Sequence, residues 1–283
     1  MTSVAPVAPA PGPASPAADR PAAGFARLLL SEWTKIRSVR STIWSLIVLV
    51  VVSLGFTALF AALTAANWNG PRAAPRDATI LADPVNSILG TGIGLGQLAV
   101  CVLGALIMTT EYSTGVIRAS LLAVPRRIPM LAAKAVVFAA LIFVVGEIVT
   151  FGSFFLGSAI LHSHVAVSLG QPGVARAVIG TGLALTVLGL FAMAIGALIR
   201  HTAGAIATVI GVVLVLPILT GLLPGSWGAH VNAYLPEQAG GLISQAHEQA
   251  GNLLTPWQGF GVFCIWTALL LIAAGYLLRR RDA

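Results

Sequence analysis

Six stretches of the chain are almost free of charge, and short segments that carry most of the charged residues separate them. A membrane helix needs about 20 residues to cross a hydrocarbon core of about 30 Å. Continuous apolar runs favour helices over barrel strands, which alternate apolar and polar residues, and lipid cannot satisfy an open backbone. The pattern therefore predicts an all-α polytopic membrane protein with spans at about 43–66, 85–110, 135–161, 177–199, 203–223 and 257–278.

Composition supports this class and excludes a soluble enzyme of the same length. Only 9% of the 283 residues are charged and 57% are apolar, whereas a soluble domain carries about 25% charged residues. Residues 1–23 differ from the rest because they are rich in Pro and Ala and have no periodicity. They are expected to form a disordered cytoplasmic tail, followed by a six-helix transmembrane domain over residues 41–283.

The basic residues predict the orientation of the spans. When the segments between spans are assigned alternately to two sides, twelve Lys and Arg residues fall on one side and three on the other. The positive-inside rule makes the richer side cytoplasmic, so both termini are expected in the cytoplasm. The net charge of +7 then reflects topology and contact with anionic lipid, and no nucleic-acid partner is expected.

Residues 24–40 are predicted to form an amphipathic helix along the inner leaflet. Its apolar residues share one face of a helical wheel, at Phe25, Leu29, Trp33 and Ile36. Its basic residues project elsewhere, at Arg27, Lys35 and Arg37. Glu32 interrupts the apolar face and is expected to pair with Lys35. A plain basic anchor before the first span is the alternative.

The segment 111–134 between the second and third spans is the most highly charged loop. It carries one acid, four bases and two prolines, and Gly115 and Pro125 are expected to break it into short pieces. Several apolar residues lie among these charges, at Val116, Ile117, Leu121 and Leu122. Apolar residues held at the cytoplasmic surface indicate docking onto another protein. An ordinary basic loop is the alternative.

Within the spans, three features bear on function. Glu147 is the only acid in a span, and a carboxylate in lipid is costly unless it faces protein or water. Contact with cargo or an ion, and a protonated side chain bonded to a neighbouring helix, are equally open. Pro217 is expected to kink the fifth span. In the glycine-rich run 90–96, Gly92 and Gly96 form a small-xxx-small pair typical of close helix packing, with simple glycine richness as the alternative.

Patterns for catalysis or cofactor binding are lacking in the sequence. A P-loop requires GxxxxGK[ST], and neither of the two lysines, Lys35 and Lys134, follows a glycine. The sequence His247-Glu248 resembles the start of HExxH, but position 251 is Gly where the second zinc ligand would stand. We therefore expect no enzyme activity, no metal and no cofactor on this chain. An intramembrane enzyme is the remote alternative.

Four segments resemble the membrane subunit of bacterial ATP-binding cassette transporters of the type-2 permease class, and the Ala, Val and Gly bias and the first segment are similar to actinobacterial members. They are Glu32-Trp33-Thr34-Lys35-Ile36-Arg37, Glu111-Tyr112-Ser113-Thr114-Gly115-Val116-Ile117-Arg118, Pro125-Arg126-Arg127 with Lys134, and Tyr234-Leu235-Pro236. The resemblance covers residues 25–281. It implies a permease in the bacterial cytoplasmic membrane that exports an amphipathic drug, lipid or peptide. A membrane assembly or sensor component that transports nothing is the alternative.

The resemblance also implies partners and sites. A separate ATPase subunit, which would bind ATP and Mg, would dock on a coupling helix within residues 111–124, and a second permease, identical or different, would complete the transporter. The implied coupling residues are Glu111, Tyr112, Gly115, Arg118, Arg126 and Arg127. The implied connecting helix at 24–40 would use Glu32, Trp33, Lys35 and Arg37. Residues 224–256 would form outer re-entrant helices, with a plain solvated loop as the alternative.

Overall fold

A computed structural model describes residues 24–70, 73–115, 127–249 and 251–280, and every regular element in these ranges is helical. The predicted tail at residues 1–23 lies outside the described residues. In chain order the α-helices are α1 Phe25–Ser38, α2 Arg40–Ala66, α3 Ala74–Ala82, α4 Pro84–Ser113, α5 Arg127–Leu161, α6 Val174–Ile199, α7 Thr202–Ile210, α8 Leu216–Gly221, α9 Gly225–Ala233, α10 Pro236–Gly241 and α11 Pro256–Arg280. A π-helical turn, Gly211–Val215, joins α7 to α8, and a 3-10 turn, Leu242–Ser244, follows α10.

The described residues contain six segments that are long and apolar enough to cross a membrane: α2, α4, α5, α6, the joined α7 and α8, and α11. The predicted all-helical, six-span architecture is therefore confirmed, with span limits that agree within a few residues at most ends. The chain is a multi-pass membrane protein, and its exposed apolar side chains lie on the outer faces of helices such as α2 and α11.

Helices α4 and α6 form the centre of the bundle. In the most apolar stretch of α6, 72% of the residues are buried, against 22% for α2. Small residues allow this close approach: a side chain at Gly104 would overlap the backbone of α6 at Gly189, and one at Gly196 would overlap Ala105 of α4. Lipid offers no hydrophobic drive between helices, so such close contacts supply much of their association.

The predicted small-residue pair of α4 packs against α2. A Cβ atom at Gly92 would overlap Ser53 and Thr57, and one at Gly96 would overlap Ser53. Both side chains of α2 are fully buried there. Gly92 and Gly96 therefore serve close packing, as predicted, and glycine richness alone does not explain them.

The predicted start of the third span is wrong by about two helical turns. The third span was expected to begin near residue 135, after a loop covering 111–134, but α5 already begins at Arg127 and α4 continues to Ser113. Pro129 lies in the first turn of α5, where its missing N–H costs nothing, and the Ala132-Ala133 pair favours helix. Helices therefore include both ends of the predicted loop, and Lys134 belongs to α5.

The fifth span is interrupted next to Pro217. Pro217 has no N–H to donate to the carbonyl four residues earlier, and one turn before it the chain forms the π-helical turn, in which the N–H of Leu216 donates to the carbonyl of Gly211. The carbonyl of Pro217 accepts a 2.8 Å hydrogen bond from the Asn232 side chain of α9. The distortion expected at Pro217 therefore takes the form of a π turn.

The bundle has two ends of different character. The basic end, as we call it, carries α1, the end of α4, the start of α5, Arg200 after α6 and the end of α11. The opposite end carries α3, the start of α4, the start of α6, α9, α10 and the 3-10 turn. The charged residues of the sequence concentrate at the basic end, and the candidate site lies there.

Candidate functional site

Helix α1 packs on the bundle through a stripe that includes a charged residue. Leu28, Glu32 and Ile36 repeat every four residues and are all buried, so they share one face of α1. The predicted apolar face differs, because Phe25 and Trp33 are 47% and 43% exposed. Glu32, which interrupted that predicted face, lies instead at the centre of the face that contacts the bundle.

Four charged side chains from three helices meet at this point, and we call them the charged junction: Glu32 and Lys35 of α1, Glu111 of α4 and Lys134 of α5. The Lys134 ammonium lies 2.5 Å from Glu32 Oε2 and 2.7 Å from Glu111 Oε1. The Lys35 ammonium lies 2.6 Å from Glu32 Oε1 and 3.6 Å from Glu111 Oε1. Each base thus contacts both acids, and the four formal charges cancel.

The junction is closed to solvent on its inner side. The side chains of Lys134 and Glu32 are each 2% exposed, whereas that of Lys35 is 34% exposed. A buried charge carries a desolvation penalty of several kcal/mol, so these positions are stable only because each charge has partners of the opposite sign. Removal of one partner would leave another charge buried and uncompensated.

The ionisation of α1 reflects these partners. Burial of the Glu32 carboxyl acts to raise its pKa, but the Lys134 and Lys35 ammonium groups outweigh burial and hold the pKa below its ordinary value. Burial acts to lower the pKa of Lys35, and hydrogen bonding to Glu32 and the charge of Glu111 outweigh it, so that pKa is raised. Both groups are therefore charged at neutral pH.

The end of α4 beside the junction is fixed by further contacts. The Arg200 guanidinium lies over the ring of Tyr112, 4.9 Å from its centroid. Thr109 and Thr202 join α4 to α7 by a 3.1 Å hydrogen bond. Gly115 has φ of 70°, and its N–H donates to the carbonyl of Tyr112, so the glycine ends the helix as predicted.

The structure brings together only some of the predicted site residues. Glu32, Lys35 and Glu111 share the junction, and the predicted Glu32–Lys35 pair is confirmed. Tyr112 and Gly115 lie next to it, while Trp33 and Arg37 lie on the exposed face of α1. Arg118, Arg126 and the side chain of Arg127 lie outside the described residues. Glu111 is 8% exposed, so it presents little surface of its own to a partner.

Sequence reasoning missed the role of Lys134. It was placed in a loop, but it is as deeply buried as Glu32 and contacts both acids. A usable signal existed in the sequence: Lys134 is one of two lysines in the chain and directly precedes an apolar run. A lone lysine at the edge of a span requires a buried partner or a route to water.

Glu147 stays apart from the junction, in the middle of α5. Neither of its carboxylate oxygens has a hydrogen-bond partner among the described residues, and both oxygens are buried. The carboxylate lies against Gly182 of α6, where a Cβ atom would come 2.6 Å from its Cδ. The lack of a side chain at Gly182 therefore leaves room for the Glu147 carboxylate between the two helices.

A second polar cluster holds helices and a backbone segment together at the opposite end of the bundle. Asp83, 2% exposed, accepts hydrogen bonds from the N–H of Asn86 at 3.0 Å and of Ala246 at 3.1 Å. Arg176 of α6 donates to the carbonyls of Gln245 and Ala246, both at 3.0 Å. These bonds hold the segment after the 3-10 turn against α4 and α6. Neither residue was singled out from the sequence.

No protein-family model matches this chain, and no curated protein matches it. Among the described residues, no group of three or more His, Cys, Asp or Glu side chains is placed to hold a metal ion. The fold and the charged junction together define a multi-pass helical membrane protein in which ion pairs join three helices at one end.

Proposed function

We propose that the chain is the permease subunit of an ATP-driven exporter in a bacterial cytoplasmic membrane. The observation that carries the proposal is the charged junction, which joins α1, α4 and α5 on both sides of the loop between α4 and α5. The proposed coupling segment, 111–124, begins inside the junction, because Glu111 is one of its members. A partner that seats against this segment would act on three helices together.

The buried ion pairs support a mechanical role. Lys134 cannot leave Glu32 or Glu111 without exposing buried charge to an apolar surrounding, which is unfavourable by several kcal/mol. A push on the loop would therefore move α1 and the adjoining ends of α4 and α5 as one body. Closure of ATPase domains would switch the bundle between inward-facing and outward-facing arrangements through this body.

The charge distribution supports the orientation. The basic end would face the cytoplasm, with both termini, because it carries most of the bases of the chain. Helix α1 would lie along the inner leaflet, where exposed Phe25 and Trp33 would enter the lipid interface. Arg27 and Arg37, which are also exposed, would meet anionic headgroups.

The partners follow from the same proposal. A separate ATPase subunit would bind ATP and Mg, and a second permease would complete the path for an amphipathic cargo. Under this proposal, neither the ATP hydrolysis by the partner nor the passage of cargo requires a catalytic group on this chain.

Co-purification tests the proposal. The full chain is expressed with each ATP-binding cassette ATPase of its own genome in turn, and the amount of ATPase retained on the tagged permease is measured, together with ATP hydrolysis. Arg118→Glu, in the loop, should abolish retention. Arg40→Glu is the matched control, because Arg40 is exposed at the same end but outside the loop. Equal retention by both variants would contradict docking on this loop.

A further inference from the structure

A cavity of about 280 Å³ lies on the side of the bundle away from the charged junction. It is bounded by the first half of α4, by α6, by α10 with the 3-10 turn, and by α11. Its volume is just below the range of about 300–1,000 Å³ that is typical of small-molecule sites, so only a small ligand fits. It shares no residue with the charged junction, so it is a separate site.

Glycines of α4 create this cavity. In the run 90–96, Gly92 and Gly96 face α2, whereas Gly90 and Gly94 lie on the cavity wall. A Cβ atom at Gly90 or Gly94 would meet nothing within 4 Å. The run therefore serves two faces: one pair of glycines closes a helix contact, and the other pair leaves space. Close packing alone does not require the second pair.

Helix α10 places an acid in that space. It packs tightly on α11, since a side chain at Gly240 would overlap Phe263 and one at Gly259 would overlap Ala239. Held in this way, α10 directs Glu237 toward Gln97, near the middle of α4. In the described part of the chain, no Lys, Arg or His lies within ion-pair distance of Glu237.

The lining matches the two parts of an amphipathic cation. Polar residues share the wall with the acid, namely Asn86, Gln97, Gln238 and Ser244, and the Gln97 side chain bonds to Glu237. The remainder of the wall is apolar, and it includes Ile93, Leu185 and the ring of Phe263. Burial raises the pKa of the Glu237 carboxyl, with the Gln97 amide as a smaller opposing influence. A cation beside the carboxylate would relieve the penalty of burial.

We propose that this cavity binds an organic ammonium ion with an apolar body, and that Glu237 is its counter-ion. The ammonium group would bind the carboxylate and the amide oxygen of Gln97, and the apolar body would contact Ile93, Leu185 and Phe263. A metal ion fits the cavity less well, because hard cations take several oxygen ligands and the wall offers one carboxylate. The ammonium could belong to a soluble amine or to an aminophospholipid headgroup.

This inference deepens the proposed function, because it names a cargo class for the exporter. Its test requires neither ATP nor the ATPase. A failure to bind amines would leave ATPase docking untouched, and a failure of docking would leave amine binding untouched.

The experiment is a binding titration on the purified full chain in phosphatidylcholine nanodiscs. The probe is 1-naphthylmethylamine, and its uncharged counterpart is 1-naphthalenemethanol. Wild-type protein should bind the amine at least tenfold more tightly than the alcohol. Glu237→Gln should weaken amine binding by about tenfold or more, because a charge-assisted hydrogen bond is lost, and should leave alcohol binding unchanged. Gly94→Leu, which fills the cavity, should weaken both.

Glu248→Gln is the matched control, because Glu248 lies between the same two spans but is exposed outside the cavity. It should bind the amine as wild type does. Nanodiscs that contain phosphatidylethanolamine separate the two sources: competition with the probe assigns the site to a lipid headgroup, and no competition assigns it to soluble amines. Unchanged amine binding by Glu237→Gln, or equal wild-type affinity for amine and alcohol, would overturn the proposal.

Discussion

At the basic end, charged side chains from three helices bind one another, whereas at the opposite end Asp83 and Arg176 bind backbone groups. The contacts of Glu32, Glu111 and Lys134 require the particular side chain of each partner. The contacts of Asp83 and Arg176 require only the path of the backbone near Ala246, which most substitutions there would keep. The stability of the charged junction therefore depends on the identity of four side chains, whereas the bonds to Ala246 depend on Asp83 and Arg176 alone.

The difference matters for motion. Ion pairs between side chains of separate helices hold those helices in one arrangement and transmit a push on any of them. Hydrogen bonds to a local backbone segment hold that segment in place and leave the helices otherwise free. We expect the basic end to move as a unit and the opposite end to keep its short helices fixed around the cavity.

The largest effect is expected from Lys134→Met. It leaves Glu32 and Glu111 buried with only the half-exposed Lys35 as partner, and should lower the free energy of unfolding by about 3–5 kcal/mol. Unfolding by SDS titration in mixed micelles measures the change. Arg40→Met, at an exposed position, should alter it little. A loss below about 1 kcal/mol for Lys134→Met would show that the ion pairs do not hold the helices.

Asp83→Ala tests the opposite end. It removes the acceptor of two backbone N–H groups, one of them at the start of α4, and should reduce the free energy of unfolding by about 3 kcal/mol. Glu248→Ala, an exposed acid near the same end, serves as the reference and should be neutral. If both variants unfold alike, the backbone bonds of Asp83 do not stabilise this end.

Gly92→Ala tests the contact between α2 and α4. The added methyl group would overlap the backbone carbonyl of Ser53, so the helices must separate, at a cost of about 1–3 kcal/mol. Gly90→Ala is the matched control two residues away, because a Cβ atom there has open space. It should be neutral or slightly stabilising, since alanine favours helix. Equal destabilisation of both variants would refute the assignment of two faces.

The smallest effect is the dependence of junction stability on pH. The pKa of Glu32 is lowered, so its contribution is complete above 4.5 and is lost as the pH falls through the folded-state pKa. The pKa of Lys35 is raised, so its contribution is complete below 10.5 and is lost as the pH rises through the folded-state pKa. The difference in stability between wild type and Lys35→Met should therefore be constant between about pH 5 and 10 and shrink outside that window. A steady change across neutral pH would contradict these directions.

The sequence predicted the parts of the structure that local patterns determine. Hydropathy alone located six spans, and the spacing of Glu32 and Lys35 predicted their pair, because residues three apart on a helix are neighbours. The close helix packing at Gly92 and Gly96 was also predicted correctly. Each of these depends on residues close together in the chain.

What the sequence could not predict depends on how distant helices meet. Lys134 reaches Glu32 across 102 positions of the chain, and no local pattern indicates that contact. The start of α5 was misplaced because charged residues before Lys134 suggested a loop, although a proline in the first turn is compatible with a helix. Glu237 was not singled out, because only the fold shows that α10 turns it toward a cavity.

Whether α1, α4 and α5 move as one body at the basic end can be tested by measuring distances between spin labels. In a variant without Cys101 and Cys264, labels are attached at Arg37→Cys on α1 and Ser113→Cys at the end of α4, both exposed positions beside the junction. The permease is bound to its ATPase and compared with and without a non-hydrolysable ATP analogue. We predict that the distance between these two labels stays constant while the distance from Arg37→Cys to a label on Leu253→Cys at the opposite end changes. A changing distance across the junction would contradict a coupling body made of α1, α4 and α5.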